Sequence, residues 1–388
     1  MKKLFFLFLA MAGLSPGQDV LLSDIDPSNF NQDFSKYDQK TALFCAQISE
    51  VAYWNERNIE ILKQQVNQNY PENKITYALI DDSYGIHHNQ VLLWANKDFM
   101  VIAFRGTEPS VLKDWLTDSK YWNYENSKGF NDELSNMPAG HGGFRRSLMR
   151  LMQKENLVEK IKNKIMEVDP QADTRTFPIY LTGHSLGAAL AQLFILPLQY
   201  HQLNFKGAYH FAPPLAVTCQ INAELRKKYG SIVYDIVNYK DYVPRAGRNG
   251  TAHFGKFYRI CDDGYVYKEQ EAYVKFRFSE YFTEFKLHAL KSHIEMLRKD
   301  ENTGVLIDQR SAGHFPCIEL KGKVRELCQY LADLLFKKII PGSLYSHNCH
   351  KKSPNDMGIK TNNHENLFTN ISFAKLWKLN TFEDDQWC

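Results

Sequence analysis

Residues 177–194 of this 388-residue chain are FPIYLTGHSLGAALAQLF. An apolar run typical of a buried strand leads into GHSLG at 183–187, and an Ala- and Leu-rich run typical of a helix follows. A Gly-x-Ser-x-Gly turn from strand into helix is so tight that its flanking positions must lack side chains. The first N–H groups of the helix point toward the serine and can stabilise an oxyanion. The stretch therefore predicts a nucleophile elbow, with Ser185 as the nucleophile.

Strand-like and helix-like segments alternate on both sides of this elbow. This alternation predicts an α/β fold, with a mostly parallel central sheet and helices on both faces. Reactive groups should then lie at the C-terminal ends of strands. Helices are predicted over 40–53 and about 144–164, and extended segments over 74–79, 91–94, 100–104, the run ending at 211–214 and 231–239.

The composition agrees with a folded enzyme-sized domain. Apolar residues make up 44% and aromatic residues 13% of the chain, which is unlike a disordered protein. A net charge of +3, from 47 basic and 44 acidic side chains, gives no general attraction to nucleic acid. We expect one large domain over 18–310. The last part, 311–388, is expected to be a C-terminal extension, because it is rich in Asn, Lys and His and has no clear period.

The first residues have the pattern of a secretory leader. Met1-Lys2-Lys3 is a short positive region, Leu4 to Leu14 is apolar but too short to span a bilayer, and Ala10-Met11-Ala12 offers a cleavage site. This pattern predicts a signal peptide over residues 1–17 and a secreted, lumenal or periplasmic protein. A buried N-terminal strand or helix is the alternative.

The seven cysteines are widely spaced and include no Cys-x-x-Cys pair. A metal cluster or a thioredoxin-type redox site is therefore not expected, and the sequence calls for no cofactor. In an exported protein some of these cysteines would pair, but the connectivity cannot be read from their spacing.

A serine nucleophile needs a base and a carboxylate that orients the base. Asp241 follows an apolar run and lies 56 residues (241 − 185) after Ser185, where the chain order serine, acid, histidine of an α/β-hydrolase would place the acid. A turn-forming aspartate after a strand is the alternative. Asp235, inside the run, is less well placed.

The base should be a histidine beyond Asp241, and order alone leaves several candidates. His288 and His293 stand out because they lie just before, or at the start of, a short helical stretch at 294–298. The residues alone do not identify the base among the seven histidines that follow Asp241, which are His253, His288, His293, His314, His347, His350 and His364.

Over roughly residues 35–300 the chain resembles the class 3 lipases, the fungal-type triacylglycerol lipase family of α/β-hydrolases. The resemblance rests on four short blocks in the expected order. They are VIAFRGT at 101–107 with DWLTD at 114–118, HGGF at 141–144, the elbow at 183–187, and DYVP at 241–244.

The resemblance implies roles for individual residues. Thr107 and Leu186 would supply the N–H groups of the oxyanion hole. His293 is implied as the base, because SHIEML at 292–297 is similar to the family's final block, although Leu297 stands where an aromatic is usual. His288 ranks second and His253 well behind, and His314 stays open.

The segment 111–122 lies where the family carries its lid and is amphipathic, so a lid and a plain surface helix are both compatible with it. His141 is expected to serve structure. The implied activity is hydrolysis of lipid esters through an acyl-enzyme, without cofactor or metal. The implied partner is a lipid ester at a membrane or droplet surface, with no nucleic acid and no obligate protein partner.

Three alternatives to a triacylglycerol lipase remain at this point. A phospholipase A1 or a feruloyl or small-ester esterase would use the same chemistry, because one fold hosts many substrates. A hydrolase fold without its base would instead be a non-catalytic lipid- or protein-binding protein.

Overall fold

The computed structural model describes ten stretches of the chain: 25–82, 89–106, 124–125, 140–238, 241, 243–245, 251–260, 266–269, 288–299 and 305–307. Internal contacts divide the chain into two units, Met1–Cys317 and Ile318–Cys388, and every described residue belongs to the first. The predicted leader at 1–17 and the predicted extension at 311–388 lie outside the described residues.

Thirteen strands are found among the described residues, and nine of them form one sheet. In chain order the strands are β1 (Thr76–Asp82), β2 (Asn89–Ala95), β3 (Met100–Phe104), β4 (Tyr124–Glu125), β5 (Gly140–His141), β6 (Ile179–His184), β7 (Phe205–Phe211), β8 (Val217–Thr218), β9 (Val233–Asn238), β10 (Thr251–Ala252), β11 (Lys256–Ile260), β12 (Val266–Glu269) and β13 (Val305–Ile307).

The main sheet has the order β1-β2-β3-β6-β7-β9-β11-β12-β13. Its centre is parallel, since β3, β6, β7, β9 and β11 run in one direction. The β1–β2, β2–β3 and β11–β12 pairs are antiparallel, and β12 pairs with β13 in parallel. The short strands β10, β8, β5 and β4 form a second, antiparallel sheet.

Seven α-helices are found in the same stretches: α1 (Gln39–Val51), α2 (Glu56–Asn69), α3 (Gly142–Gln153), α4 (Leu157–Val168), α5 (Leu186–Tyr200), α6 (Cys219–Tyr229) and α7 (Leu290–Lys299). Short 3₁₀ turns cover Pro27–Asn29, Pro71–Asn73 and Val243–Arg245. Side chains cap the first two helices, because Asp38 accepts the Thr41 N–H and Asn55 accepts the Asn58 N–H. None of the described helices has the length and apolar character needed to cross a bilayer.

The main sheet separates two apolar cores. Ile102 and Phe104 of β3 pack into the core that contains α3, α4 and α5, whereas Val101 and Ala103 pack into the core that contains α1, α2 and α7. Both faces of β2, β3 and β6 are therefore buried, which explains why these strands are apolar runs rather than alternating ones. The predicted α/β fold, with a mostly parallel sheet covered on both faces, is confirmed.

The helix predicted over about 144–164 is two helices. α3 ends at Gln153 and α4 begins at Leu157, and between them Asn156 has a left-handed backbone with φ 51° and ψ 44°. Asparagine tolerates this conformation better than most residues, so the break lies where the sequence allows it most easily.

Candidate active site

Ser185 occupies the turn between β6 and α5. Its backbone has φ 56° and ψ −124°, a strained conformation for a residue other than glycine. The turn is held in place because the Ser185 N–H donates to the Phe211 carbonyl at 2.9 Å and the Ser185 carbonyl accepts the Ala189 N–H at 3.2 Å. The strand, turn and helix have the layout that the sequence predicts for a nucleophile elbow.

The two glycines of the motif are required by space. A Cβ on Gly183 would lie 2.6 Å from the Gly187 carbonyl group. A Cβ on Gly187 would collide with the backbone carbonyl of Phe104, at the end of β3. Side chains at either position would push the turn away from the neighbouring strand, so the close approach of β3, β6 and α5 depends on both glycines.

Leu186 is the first residue of α5, so its N–H belongs to the unpaired group at the helix N-terminus. Thr107, the other predicted oxyanion donor, lies outside the described residues. The described chain reaches Gly106, where a Cβ would lie 2.5 Å from the His184 carbonyl. The segment that leads to Thr107 therefore lies against the elbow.

Asp241 follows the C-terminal end of β9 and is buried. Its Oδ2 lies 2.7 Å from His288 Nδ1, and its Oδ1 accepts the Val243 N–H at 2.9 Å. With Nδ1 donating to the carboxylate, His288 presents Nε2 as its free nitrogen. Among the described residues, neither His288 Nε2 nor Ser185 Oγ has a hydrogen-bond partner, and both atoms are buried.

The geometry places His288, and not the first-ranked His293, in contact with Asp241. His293 lies in the first turn of α7, where its Nδ1 is 3.3 Å from the Ala289 carbonyl, and the described contacts give it no hydrogen bond to Asp241. Burial lowers the pKa of His293 to about 4 despite the nearby Asp241 carboxylate. The histidine that pairs with the carboxylate precedes the helix, whereas His293 belongs to it.

The other late histidines hold different positions. His253 Nε2 lies 2.9 Å from the Pro244 carbonyl, and its Nδ1 is 3.4 Å from Asp235. His314 lies outside the described residues, and His141 lies in β5. The predicted lid segment 111–122 is also outside the described residues.

A second buried polar cluster surrounds Asp235 of β9. Its Oδ1 accepts from His210 Nδ1 at 3.0 Å and from Gln192 Nε2 at 3.1 Å. Burial alone would raise the pKa of this carboxyl, but hydrogen bonds from His210 and His253 hold it well below its usual value. The cluster joins β7, β9 and α5 beneath the elbow. In the sequence, only polar residues inside apolar runs indicate this cluster.

His184, the residue before Ser185, contacts the segment that carries His288 directly. Its Nε2 lies 2.6 Å from the His288 carbonyl, and its Nδ1 lies 3.1 Å from the Tyr53 hydroxyl. Burial, and then the neighbouring His288 and His293, lower the pKa of His184 well below its usual value. No sequence pattern indicates a role for Tyr53 or His184.

No group of three or more His, Cys, Asp and Glu side chains within the described stretches is arranged to hold a metal ion. The chemistry available at the site is instead that of a serine hydroxyl, an imidazole on a buried carboxylate, and N–H groups at a helix start.

The elbow between β6 and α5, with an Asp–His pair after β9, defines an α/β-hydrolase. Within that class, residues 101–249 match the sequence model of the class 3 lipases. The resemblance noted in the sequence is thus confirmed.

A triacylglycerol lipase, OBL1 from Arabidopsis thaliana, is 23% identical over 257 residues, which cover 56% of this chain and 48% of that protein. The match thus spans about half the length of this relative. Among solved structures, the Lip2 lipase from Yarrowia lipolytica is 18% identical with a TM-score of 0.44, over 56% of this chain and 76% of that one. A lipase from Rhizopus microsporus var. chinensis is 18% identical with a TM-score of 0.42, over 58% and 74%.

Proposed function

We propose that this protein is a serine ester hydrolase that acts on lipid esters, with Ser185 as nucleophile, His288 as base and Asp241 as the orienting carboxylate. The observation that carries the proposal is the 2.7 Å contact between His288 Nδ1 and Asp241 Oδ2. The His288 backbone contacts His184, the residue before the strained Ser185 at the elbow. A strained turn and a buried acid–base pair are expensive to maintain for structure alone.

The reaction follows from the position of each proton. His288 Nε2 removes the proton from Ser185 Oγ as Oγ attacks the ester carbonyl carbon. The Leu186 N–H, together with Thr107 from the end of the β3 segment, stabilises the negative oxygen of the tetrahedral intermediate. The proton on Nε2 then passes to the leaving alcohol, and an acyl-Ser185 ester remains.

Water completes the cycle. His288 deprotonates a water molecule, the hydroxide attacks the acyl-enzyme, and the carboxylic acid leaves as Ser185 regains its proton. Asp241 stays ionised and stabilises the imidazolium that forms in each half-reaction. The cycle uses no cofactor and no metal.

Support for a lipid substrate comes from the sequence. Residues 101–249 match the class 3 lipases, and the similar Arabidopsis protein is named a triacylglycerol lipase. In the amphipathic segment 111–122, Leu112, Trp115, Leu116 and Trp122 stand among charged residues, a pattern suited to covering a site in water and exposing it at a lipid surface.

The first test is hydrolysis of p-nitrophenyl esters from acetyl to palmitoyl, with and without lipid droplets, by wild type and three variants. Ser185→Ala and His288→Ala should each lose about 10⁴-fold or more in kcat. His293→Asn should keep most of the wild-type activity, because His293 does not bind Asp241. Long-chain activity that rises at the interface supports a lipase.

Other outcomes of this test give different answers. Activity restricted to short chains would remove the lipid assignment and favour a small-ester esterase. Loss of activity in His293→Asn but not in His288→Ala would return the base to His293. If wild type hydrolyses no ester and does not react with a fluorophosphonate, a non-catalytic binding protein is the better description.

Export through a secretory pathway is a separate proposal, supported by the residues 1–14 pattern. Expression of the full chain in a secreting eukaryotic host, followed by N-terminal sequencing, tests it. A mature N-terminus close to residue 18 in the medium or lumen supports the proposal. A protein that retains Met1 or Lys2 inside the cell would contradict it.

A further inference from the structure

The proposed base is held by more than its carboxylate. His288 lies just before α7, and its ring donates to Asp241. Its backbone is tied separately, because its carbonyl oxygen lies 2.6 Å from Nε2 of His184. His184 is the residue before the nucleophile, so one side chain connects the turn that carries Ser185 to the segment that carries the base.

The acceptor at one end of His184 assigns its tautomer. A backbone carbonyl only accepts, so Nε2 of His184 carries the hydrogen that bonds His288. Burial keeps this imidazole neutral, which leaves Nδ1 without a hydrogen. Nδ1 therefore accepts the hydroxyl hydrogen of Tyr53, 3.1 Å away. The chain of donors runs from Tyr53 through His184 to the His288 carbonyl.

Tyr53 is itself fixed against the oxyanion segment. The Arg105 guanidinium lies 5.5 Å from the centre of its ring and donates to Gln90 Oε1 at 2.8 Å. Gln90 in turn donates to the Trp54 carbonyl at 3.0 Å. A Cβ on Gly106 would collide with the Tyr53 hydroxyl, so the tyrosine fills the space beside the chain that leads to Thr107.

We propose that Tyr53 and His184 are positioning residues for the base: the Tyr53 hydroxyl donates to His184 Nδ1 and so stabilises the tautomer whose Nε2–H holds the His288 backbone at the nucleophile turn. The inference rests on the proposed function, since it gives these residues a task only if His288 is the base. Neither residue transfers a proton in the reaction. Their effect is to keep His288 Nε2 aligned with Ser185, where small displacements reduce turnover strongly.

Three variants separate the steps of this proposal. Tyr53→Phe removes only the hydroxyl that donates to His184 Nδ1. His184→Phe removes the donor to His288. His184→Gln keeps an N–H donor near the position of Nε2 and has no tautomer to select. Tyr180→Phe is the matched control, because the Tyr180 hydroxyl also donates one hydrogen bond, to the Gln32 carbonyl at 2.9 Å, but makes no described contact with the site.

The kinetic measurement is kcat and KM on p-nitrophenyl butyrate, per active site titrated with a fluorophosphonate. Tyr53→Phe should lower kcat about tenfold and His184→Phe about 100-fold, with KM within about twofold of wild type. His184→Gln should keep most of kcat, and adding Tyr53→Phe to it should change kcat less than about twofold. Tyr180→Phe should have wild-type kcat per site.

A spectroscopic measurement makes the test independent of turnover. The proton shared by His288 Nδ1 and Asp241 should give a low-field proton NMR signal in wild type, His184→Gln and Tyr180→Phe. It should broaden or disappear in Tyr53→Phe, because a released base segment lets solvent exchange this proton. If wild type hydrolyses no ester but the signal follows this pattern, the proposed function fails, while the link from Tyr53 through His184 to the His288 segment stands as a structural one.

Two results would overturn the proposal. One is a Tyr53→Phe protein with unchanged kcat per titrated site and an unchanged low-field signal. The other is an equal loss from Tyr53→Phe in the wild-type and His184→Gln backgrounds, which would show that the hydroxyl acts independently of the His184 tautomer. Both comparisons remain available even if His184→Phe does not fold.

Discussion

Ser185 is held in a backbone conformation that other residues around it enforce. The Phe211 carbonyl accepts its N–H, and the missing side chains of Gly183 and Gly187 allow the strand and helix to meet. The strain is local, so a single methyl group added at either glycine should destabilise the turn.

Gly187→Ala should therefore destabilise the protein. The new Cβ meets the carbonyl of Phe104, a backbone group that cannot turn aside, so either β3 or α5 must shift. We expect the free energy of unfolding to fall by about 3 kcal/mol. Urea denaturation followed by circular dichroism measures this. Ala188→Gly, one residue further along α5, is the control for helix propensity, and a Gly187→Ala loss no larger than that of the control would contradict the steric argument.

Asp241→Asn should remove turnover while leaving the fold intact. The amide can still accept the Val243 N–H, but its NH₂ group then faces His288 Nδ1 and forces the hydrogen onto Nε2. A base that already carries a hydrogen on Nε2 cannot deprotonate Ser185, so kcat should fall about 10⁴-fold. Steady-state kinetics and a thermal melt test it together. A decrease below about tenfold in a folded variant would show that Asp241 does not orient the base.

At the scale of elements, the parts of the site that local sequence specifies were predictable. Ser185 follows β6 and Asp241 follows β9 within a few residues. Each site residue and the apolar strand before it can therefore be recognised in one short stretch of sequence. Which of His288 and His293 contacts Asp241 was not predictable in this way. They lie five residues apart (293 − 288), and the choice depends on where α7 begins and on contacts of His288 with His184 and Asp241, which are remote in sequence.

Two features of the helices were also not predicted from the sequence. Helix α2 was not predicted, although its buried residues Ile59, Leu62 and Val66 have helical spacing, because polar residues fill the rest of the segment. The break between α3 and α4 was not predicted either, because the apolar pattern continues through it, whereas the left-handed backbone of Asn156, the N-cap of α4, interrupts the helical path.

Substitutions at Asn156 should report this break. A left-handed backbone disfavours residues with a Cβ by about 1–2 kcal/mol, and glycine is exempt. We expect Asn156→Ala to lower the free energy of unfolding by about 1 kcal/mol and Asn156→Gly to leave it unchanged or slightly higher. The pair is compared by urea denaturation. Equal stability of the two variants would mean that the turn does not require this conformation.

At the scale of the whole molecule, the site is a product of parallel strands. β3, β6 and β9 end at one edge of the sheet, and the chain places Arg105, Ser185 and Asp241 just beyond those three ends. On one face of the sheet, Leu186 is the first residue of α5. On the other face, Tyr53 lies just after α1 and His288 just before α7. The assembly requires buried imidazoles between the layers, and these affect stability.

The buried histidines should make the fold sensitive to mild acid. Burial lowers the pKa of His293 to about 4 and that of His184 well below its usual value, whereas both titrate near 6.5 in the unfolded chain. Between pH 6.5 and about 4 the unfolded state therefore binds more protons than the native state, so stability falls as the pH falls. Each histidine contributes a slope of up to about 1.4 kcal/mol per pH unit in this window.

Urea denaturation at pH 7.0, 6.0, 5.0 and 4.5 measures this slope. His293→Gln removes one of the two titrating groups, so the variant should lose less stability than wild type between pH 6 and 4.5, by about 1.4 kcal/mol per unit. Parallel slopes for wild type and His293→Gln would show that His293 is protonated equally in both states. In that case the ring would need an acceptor for its Nε2 hydrogen, which the described residues do not supply.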